Sequence, residues 1–421
     1  MSLSDWLAPK QREVLHDYLT KDFGMMILTG AVRSGKTYID NLLFIYELRR
    51  TARLAKQNGD KHPQYILAGA TSDSINKNVI ISCMNQFGIE FKLDRHGHYH
   101  LFGVDITPVS TSTMAGLKGA RGFTSYGAYV NEATLGVEDV FQEILQRCSE
   151  SGSHIIVDTN PDNPQHWLKK DYIDKDDPKM KKLVYHFTID DNTHLAPDYV
   201  ERIKATTPSG MYYDRAIKGL WVTGEGVVYQ DFDERKMQTD QLPEFRRYVA
   251  GVDWGYQHYG SIVVFGVTDD DKWYLVDERT KQYKEIGYWT KTAHQLQSKY
   301  GRDMPFYCDT ARTEFIDHFK HNRINAKYGW KSVVPGIEIV ASLMKQGRFF
   351  IKKDATERFL EEIYNYRWDD KATDAVVKEN DDCMDACRYA IASDIHIAEQ
   401  KKEHPGINQK QARQTLRRLG I

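Results

Sequence analysis

The segment 30–37, with the sequence Gly-Ala-Val-Arg-Ser-Gly-Lys-Thr, matches the phosphate-binding pattern G-x-x-x-x-G-K-[ST]. It follows the apolar run 25–28, which is typical of a buried strand, and it precedes apolar residues at helical spacing. Glycines let backbone N–H groups face a phosphate, and the next helix directs its positive dipole end there. In such loops the lysine reaches the β- and γ-phosphates and the last hydroxyl holds Mg²⁺. The expected nucleotide-binding residues of this loop are Gly30, Arg33, Ser34, Gly35, Lys36 and Thr37.

Short apolar strands alternate with helical segments in the first half of the chain. We predict strands at 65–70, 126–130, 154–158 and 185–189, and a helical stretch at 197–219. This alternation indicates a mainly parallel sheet flanked by helices. The predicted fold class is therefore α/β, beginning with a P-loop ATPase domain of the RecA/ASCE-like type.

The strand 126–130 ends in Asn131 and Glu132, where a P-loop enzyme needs carboxylates for Mg²⁺ and for the attacking water. Glu132 is the candidate general base for ATP hydrolysis. Asn131 stands where aspartate is commoner; it can hydrogen-bond a hydrated metal but brings no charge. A surface carboxylate at a strand end is the alternative interpretation of Glu132.

Four further residues are candidates for the ATPase site. Arg33 lies inside the loop and Arg121 shortly before the strand 126–130, and a guanidinium of either residue suits a transferring phosphoryl group. The residue types do not decide which arginine acts within the subunit and which between subunits. Asn160 lies in a Thr-Asn-Pro turn at the position of a γ-phosphate-sensing switch, with a plain turn as the alternative. Gln11 precedes the first strand, and its amide offers the donor and acceptor that an adenine edge requires.

A segment at 219–242 that is interrupted by glycine and aspartate residues separates the first half from a different order of strands and helices. Strands are predicted at 248–253, 261–267 and 273–278, followed by a helix, a strand at 305–309 and a last helix at 381–393. Three consecutive antiparallel strands, then a helix and a parallel strand, is the order of an RNase H-like domain with a mixed sheet.

Four aspartates of this second half form a candidate nuclease site. Asp253 and Asp309 end neighbouring strands, and Asp382 and Asp385 lie three apart on one helix face. Such a cluster repels itself unless cations lie between the carboxylates, and oxygen ligands select Mg²⁺ or Mn²⁺. Two such ions would clamp the attacking water and the leaving oxygen of a phosphodiester. Glu278 ends the third strand. We expect it to have a structural role, with binding of the metal as the alternative.

Composition places few limits on partners. The 57 basic and 59 acidic residues give a net charge of −2, so a nucleic-acid surface would have to be local. No Cys-x-x-Cys pair occurs, which disfavours zinc, and no apolar run reaches membrane-spanning length. We predict an ATPase domain at 1–220, a linker at 221–245, a nuclease domain at 246–395 and a basic tail at 396–421. The tail is either a solvated end or a docking segment.

The order of these motifs resembles the large terminase subunit of tailed bacteriophages over nearly the whole chain. The resemblance is carried by Gln11, the loop with its internal Arg33, the Asn131–Glu132 strand end, the Thr-Asn-Pro turn at 159–161, the segments 219–221 and 225–229, and the acidic segment 380–389. Two positions depart from the family pattern. The family usually has aspartate at position 131, and many relatives have histidine at position 382.

The resemblance implies an ATP-driven motor that translocates double-stranded DNA into procapsids and a metal-dependent endonuclease that cuts concatemeric DNA. It implies ATP and Mg²⁺ as cofactors, with Mn²⁺ supporting the nuclease. Expected partners are double-stranded DNA, the small terminase subunit and the portal protein, on which the chain would form a homo-oligomeric ring, a monomer being an alternative state in solution. Arg121 would then reach a neighbour's nucleotide. The expected location is the host cell cytoplasm, not the mature virion.

Two other functions remain open from the residues alone. The first is an ATP-dependent nuclease or helicase of DNA repair or restriction, although such proteins usually carry a second RecA-like domain. The second is an NTP-binding adaptor whose nuclease-like domain is inactive. A degenerate adaptor is disfavoured by the intact set of Lys36, Thr37, Glu132, Asp253, Asp309 and Asp385.

Overall fold

The computed structural model describes residues 6–116, 122–369 and 371–403, without the side chains of 399–403. It divides into two compact units. The first unit comprises the described residues up to Lys204 together with Met211–Thr223, and the second comprises Ala205–Gly210 and the residues from Gly224 onward. Part of the proposed tail, including Lys410, Arg413, Arg417 and Arg418, lies outside the described residues.

The first unit is built on an eight-stranded sheet with the order β3-β4-β5-β2-β6-β7-β1-β8. Its strands are β1 (Met25–Gly30), β2 (Gln64–Gly69), β3 (Lys92–Leu93), β4 (Tyr99–Leu101), β5 (Val104–Ser110), β6 (Gly127–Val130), β7 (His154–Thr159) and β8 (Lys182–Phe187). In the order of the sheet, every pair of neighbouring strands from β5 to β8 is parallel. Strands β3 and β4 form an antiparallel edge beside β5. The predicted mainly parallel sheet is therefore confirmed.

Helices cover both faces of this sheet. They are α1 (Pro9–Thr20), α2 (Lys36–Asn58), α3 (Ser72–Ile75), α4 (Ser82–Phe87), α5 (Glu138–Arg147), α6 (Pro197–Thr206) and α7 (Met211–Ala216), with π-helical stretches at Asn76–Ile81 and Leu168–Asp174. Alternate residues of β1 enter two different cores. Met26 and Leu28 pack with residues of α2, and Met25 and Ile27 pack with residues of α5. Because both faces of β1 are buried, its first four residues are all apolar, which is why β1 was visible in the sequence.

Three local predictions in this unit need correction. The helical stretch 197–219 is two short helices, because Pro208 and Gly210 interrupt it, the latter with a positive φ of 76°. The last strand begins at Lys182 and ends at Phe187. Strand β5 and the β3–β4 hairpin were missed, since β5 contains Pro108 and includes polar residues, two of which are only partly buried.

The second unit contains a seven-stranded mixed sheet with the order β14-β13-β10-β11-β12-β15-β9. Its strands are β9 (Gln238–Thr239), β10 (Arg247–Asp253), β11 (Gly260–Val267), β12 (Trp273–Lys281), β13 (Phe306–Cys308), β14 (Ala326–Tyr328) and β15 (Phe349–Lys352). Its helices are α8 (Glu234–Met237), α9 (Ile286–Tyr300), α10 (Thr313–His321), α11 (Val333–Lys345), α12 (Glu357–Ile363) and α13 (Asp382–Glu403). Strands β10, β11 and β12 are antiparallel, and β13 joins β10 in parallel, as the RNase H-like order predicts.

Helix α13 packs closely against β10 at Gly251. A Cβ atom at this glycine would lie 1.9 Å from the carbonyl oxygen of Ala386 and 2.8 Å from the backbone nitrogen of Ala390. Because Gly251 has no side chain, the helix that carries Asp382 and Asp385 can lie directly on the strand that ends in Asp253.

We expect Gly251→Ala to destabilise the second unit by about 1–3 kcal/mol, because the added methyl group forces the helix and strand apart. The measurement is thermal unfolding of the purified protein. Gly287→Ala is the matched control, since the space around Gly287 in α9 is open and alanine favours a helix by up to ~1 kcal/mol. An unchanged melting temperature for Gly251→Ala would contradict the described packing.

Candidate active sites

The P-loop encloses the side chain of Lys36. Arg33 and Gly35 both have positive φ values, 60° and 91°, so the loop curls before α2 begins. The Lys36 Nζ atom donates to the carbonyl oxygens of Gly30 at 2.8 Å and Ala31 at 2.7 Å, and to the Asn160 Oδ1 atom at 3.2 Å. These bonds hold the ammonium group inside the curve of the loop.

Burial of Lys36 has an electrostatic consequence. The residue is only 5% exposed, and this burial lowers its pKa to about 8, although the carboxylates of Asp158, Asp40 and Glu132 act in the opposite direction. A polyanion placed against the loop would restore a preference for the charged ammonium form. The site is therefore suited to a phosphate chain.

A cavity of about 550 Å³ opens in front of the loop. Its wall comprises residues 32–38 of the loop and helix start, and Lys77, Asn78, Ser82, Gln86, Glu132, Asn160, Asn192 and Leu195. Backbone N–H groups and polar side chains dominate this wall, as expected of a site for a nucleotide with its phosphates. The structure thus places Lys36, Thr37, Glu132 and Asn160 around one space.

The end of β6 presents Asn131 and Glu132 differently. Glu132 adopts a left-handed conformation with φ of 53° and is half-buried beside the cavity. Burial raises its pKa, and the nearby Asp158 carboxylate adds to this shift. Asn78 donates to the Glu132 Oε2 atom at 3.4 Å and to the Asn131 Oδ1 atom at 3.1 Å. An oriented carboxylate of raised basicity is what a general base requires.

Asp158 is the functional candidate that sequence reasoning missed. It lies at the end of β7, is 2% exposed, and accepts a hydrogen bond from the Thr37 hydroxyl at 3.2 Å. Strand β7 lies between β6 and the P-loop strand β1, so its end is nearer to the loop than Asn131 is. The sequence did contain a signal for Asp158, which is an acidic residue at the end of an apolar strand just before the Thr-Asn-Pro turn. The same pattern, an acidic residue at a strand end, led to the prediction of Glu132.

The structure places Gln11 behind the loop. Its Nε2 atom donates to the Gly35 carbonyl oxygen at 2.9 Å, and its Oε1 atom accepts from the Ala8 backbone at 2.8 Å. The residue is buried and does not line the cavity. In this arrangement Gln11 supports the loop, and both ends of the amide that we expected to bind adenine are engaged by the chain itself.

The turn after β7 connects the cavity to neighbouring elements. Asn160 contacts Lys36, while the Thr159 hydroxyl donates to the Thr134 hydroxyl at 2.8 Å. The Trp221 indole donates to the Thr29 hydroxyl on β1 at 2.9 Å. Asn160 and Thr159 thus join the Lys36 side of the cavity to the segment that follows Glu132.

Of the two candidate arginines, the structure describes Arg33 but not Arg121. Arg33 is exposed and lines the cavity, and its carbonyl oxygen accepts from the Asn192 side chain at 2.8 Å. Arg121 lies outside the described residues. Both phosphate-stabilising roles stay predictions.

The second unit gathers its aspartates at one end of the sheet. Strand β10 ends at Asp253, and the parallel strand β13 is followed directly by Asp309, whose backbone nitrogen donates to the Val252 carbonyl oxygen at 2.8 Å. Helix α13, lying on β10, begins with Asp382 and places Asp385 one turn further on. Two strand ends and one helix start thus meet, as the element order predicted.

These carboxylates influence one another strongly. Burial raises the pKa of Asp253 well above its usual range, and Asp385, Asp309 and Asp382 raise it further. Burial also raises the pKa of Asp382 to about 6, with a contribution from Asp381. The charged form of Asp253 is disfavoured because the group is surrounded by protein and by other carboxylates. A divalent cation among these groups would remove that cost, so the donor set suits such an ion.

Asp385 is held by cations of the chain itself. The buried Arg388 donates to its Oδ1 atom at 3.1 Å, and Lys378 donates to its Oδ2 atom at 2.8 Å. Tyr389 donates to the Asp309 Oδ1 atom at 3.1 Å. Within the described part of the chain, no three acidic, histidine or cysteine side chains adopt the arrangement of a formed metal site.

Two glutamates, the partly buried Glu278 and the buried Glu362, support this site by capping helices. Glu278 accepts from the backbone nitrogens of Arg358 and Phe359 at 3.0 and 2.9 Å, at the start of α12. Glu362, which sequence reasoning missed, accepts from the backbone of Cys383 and Met384 at 2.7 and 3.1 Å. Burial raises the pKa of Glu362 to about 7, against the opposing effect of Arg358. Glu278 therefore has the structural contacts expected of it, and Glu362 fixes the start of α13.

The two units together define a class of protein: a P-loop ATPase joined to an RNase H-like nuclease in one chain. The family model of the T4-like-virus-type terminase large subunit, N-terminal, matches residues 27–236, and that of the terminase RNaseH-like domain matches residues 250–394. The chain belongs to the terminase large subunit family. It is accordingly a DNA-packaging ATPase that also carries an RNase H-like nuclease domain.

Solved structures agree with this fold. The large terminase of a thermophilic bacteriophage is 24% identical over 91% of this chain and 98% of its own, with a TM-score of 0.76. Structures of that same phage protein with ADP and with ATP-γ-S give TM-scores of 0.74 and 0.73, at 24% identity over 92% of this chain and 99% of theirs. No curated protein is matched by the chain. Among the described helices, none is long and apolar enough to cross a membrane.

Proposed function

We propose that the first unit hydrolyses ATP with Mg²⁺ in the cavity in front of the P-loop. The observation that carries this proposal is the convergence of Lys36, Thr37 and Glu132 on that cavity. Lys36 would bind the β- and γ-phosphates, and the Thr37 hydroxyl would hold Mg²⁺, which supplies neutralisation of phosphate charge when bound. The thermophilic phage terminase has been solved in complex with ADP and with ATP-γ-S, which supports nucleotide binding by this chain.

Each residue of this site has one task in the proposed reaction. Glu132 accepts the proton of the attacking water, and Asn78 orients its carboxylate. Lys36 and the loop N–H groups hold the phosphate chain in line for attack. Asn160, in contact with Lys36, senses the phosphate and passes its state to Thr134 and the segment beyond. Arg33 or Arg121 stabilises the charge that develops on the transferring group, and Arg121 would do so from a neighbouring subunit.

We propose that the second unit cuts DNA with two divalent cations, Mg²⁺ or Mn²⁺. Asp253, Asp309, Asp382 and Asp385 are the residues that would hold them. Bound cations would supply an activated water and stabilise the leaving oxygen. The raised pKa of Asp253 supports this assignment. The carboxylates of Asp385, Asp309, Asp382 and Asp381 all contribute to the shift, and a bound cation would offset their repulsion.

The proposed biological role is the translocation of double-stranded DNA into procapsids and the cutting of concatemeric DNA at the start and end of packaging. The portal protein and the small terminase subunit are the proposed partners, with a ring of chains assembled on the portal. The site of action would be the host cell cytoplasm, and the protein would be absent from the mature virion.

Metal removal tests the nuclease part of this proposal. We expect the protein to convert supercoiled plasmid to nicked and linear forms with Mn²⁺ or Mg²⁺, with no need for ATP, and to stop when EDTA is in excess. The reason is that the clustered carboxylates can bind the cations without a nucleotide. Cleavage that persists in EDTA, or a folded protein inactive with every divalent cation, would overturn the assignment.

A further inference from the structure

We propose that Asp158 provides the metal-orienting carboxylate of the ATPase site, replacing the aspartate that position 131 lacks. The inference rests on the proposed ATP and Mg²⁺ function and concerns which side chain serves it. P-loop ATPases place this carboxylate beside the loop hydroxyl that binds the metal. Here the charge would have moved from the end of β6 to the end of the adjacent strand β7.

The sheet register makes the two positions equivalent neighbours. Val130 on β6 pairs with Val157 on β7, so Asn131 and Asp158 are the next residues of two parallel strands. Strand β7 also pairs with the P-loop strand, Leu28 lying opposite Asp158. The end of β7 is thus one strand closer to Thr37 than the end of β6.

The contacts of Asn131 commit its side chain to Asp158. The Asn131 Nδ2 atom donates to both Asp158 oxygens, at 3.0 and 3.1 Å, and its Oδ1 atom accepts from Asn78 at 3.1 Å. Neither end of this amide contacts Thr37. Asn131 therefore positions the carboxylate of Asp158, which is the member of the pair that does contact Thr37.

Asp158 is held in one orientation by several donors. Its Oδ1 atom accepts from the Glu132 backbone nitrogen at 2.6 Å, and its Oδ2 atom accepts from Thr37 at 3.2 Å and the Tyr129 hydroxyl at 3.3 Å. Such a set fixes the carboxylate before a ligand arrives, which is the property required of a group that orients a metal's ligands.

Asp40 is the competing acidic residue, and it offers a matched control. It lies on α2, is fully buried, and neither of its carboxylate oxygens has a hydrogen-bond partner among the described residues. Asp158, by contrast, contacts the Thr37 hydroxyl directly. Both residues can be replaced by asparagine with little change in shape, so the two variants differ mainly in which carboxylate is lost.

The test measures the affinity of a fluorescent ADP analogue with Mg²⁺ and with EDTA. We expect Mg²⁺ to tighten binding to the unmodified protein and to Asp40→Asn, and Asp158→Asn to lose about 10-fold or more of that gain while keeping its affinity in EDTA. The exchange variant Asp158→Asn with Asn131→Asp retains the hydrogen-bonded pair and returns one charge, so it should recover the gain. Melting curves establish that each variant is folded.

Each outcome discriminates between the claims. A folded Asp158→Asn protein with the full Mg²⁺-dependent gain would overturn the inference, as would equal losses in Asp158→Asn and Asp40→Asn. An exchange variant that folds but recovers nothing would also contradict it. If the unmodified protein binds the nucleotide with no dependence on Mg²⁺, the proposed ATPase function and the inference fail together. If Asp158→Asn does not fold, Asp158→Glu, which keeps the charge but displaces the carboxylate from Thr37, decides in its place, and a full Mg²⁺-dependent gain in that variant would overturn the inference.

Discussion

Replacing Lys36 with alanine is expected to abolish ATP turnover while leaving metal-dependent DNA cleavage at the rate of the unmodified protein. The Lys36 ammonium is the buried cation at the centre of the loop, bonded to Gly30 and Ala31. Without it, the charge on the phosphates has no fixed counter-charge there, and removal of one such preorganised donor costs on the order of 10²–10³ in rate. Cleavage should persist because the aspartate cluster lies in the other unit.

The measurement is phosphate release and plasmid cleavage on the same preparations. Lys77→Ala is the control, because Lys77 lines the same cavity yet forms an exposed ion pair with Asp73 at 2.9 Å. We expect it to change turnover by no more than a few-fold, since exposed ion pairs contribute about 0–1 kcal/mol. Equal loss of both activities in folded Lys36→Ala protein would contradict the division of labour.

Replacing Asp253 with asparagine is expected to remove DNA cleavage, leave ATP turnover intact, and keep or raise the melting temperature without metal. Loss of one cation ligand removes several kcal/mol of transition-state stabilisation, which corresponds to roughly 10³-fold or more in rate. The stability effect follows from burial, which raises the pKa of Asp253 together with the repulsion of its neighbours. A neutral amide carries neither cost.

Asp317→Asn serves as the control for this second change. Asp317 is an exposed residue of α10 whose only described ion pair is with Lys320, at 3.3 Å. Its replacement should alter neither activity. A folded Asp253→Asn protein that nicks plasmid at the normal rate would remove Asp253 from the proposed site. A sharp fall in its melting temperature would show that this carboxylate is stabilising, contrary to its described surroundings.

Much of the fold follows from local patterns in the sequence. The first four residues of β1 are all apolar because both faces of the strand are buried, and the three strands from Arg247 to Lys281 are separated by clear turns. Strand β5 was missed because polar residues and a proline interrupt its apolar residues. The break near Gly210 was missed because the apolar spacing continues on both sides of it. Such features depend on the tertiary surroundings more than on the segment itself.

In the candidate sites, too, some residues could be predicted from local sequence patterns and others depend on tertiary contacts. A motif with fixed spacing identifies Lys36 and Thr37, and strand ends identify Asp253 and Asp309. The contact of Asp158 with Thr37 depends on which strand lies next to β1, and the strand order is not encoded in any local pattern. Likewise, Glu362 caps α13 across 21 residues of sequence. Long-range side-chain contacts of this kind became visible only in the folded chain.

The most direct test of the packaging account uses procapsids that carry the portal, supplied with linear DNA, ATP and purified chain, and measures the DNA protected from added nuclease. We expect Asp253→Asn protein to package this DNA as the unmodified protein does, since the ends are already cut, whereas Lys36→Ala protein should protect none. Protection by Lys36→Ala protein, or its failure with Asp253→Asn protein that still hydrolyses ATP, would contradict the assignment of translocation to the first unit.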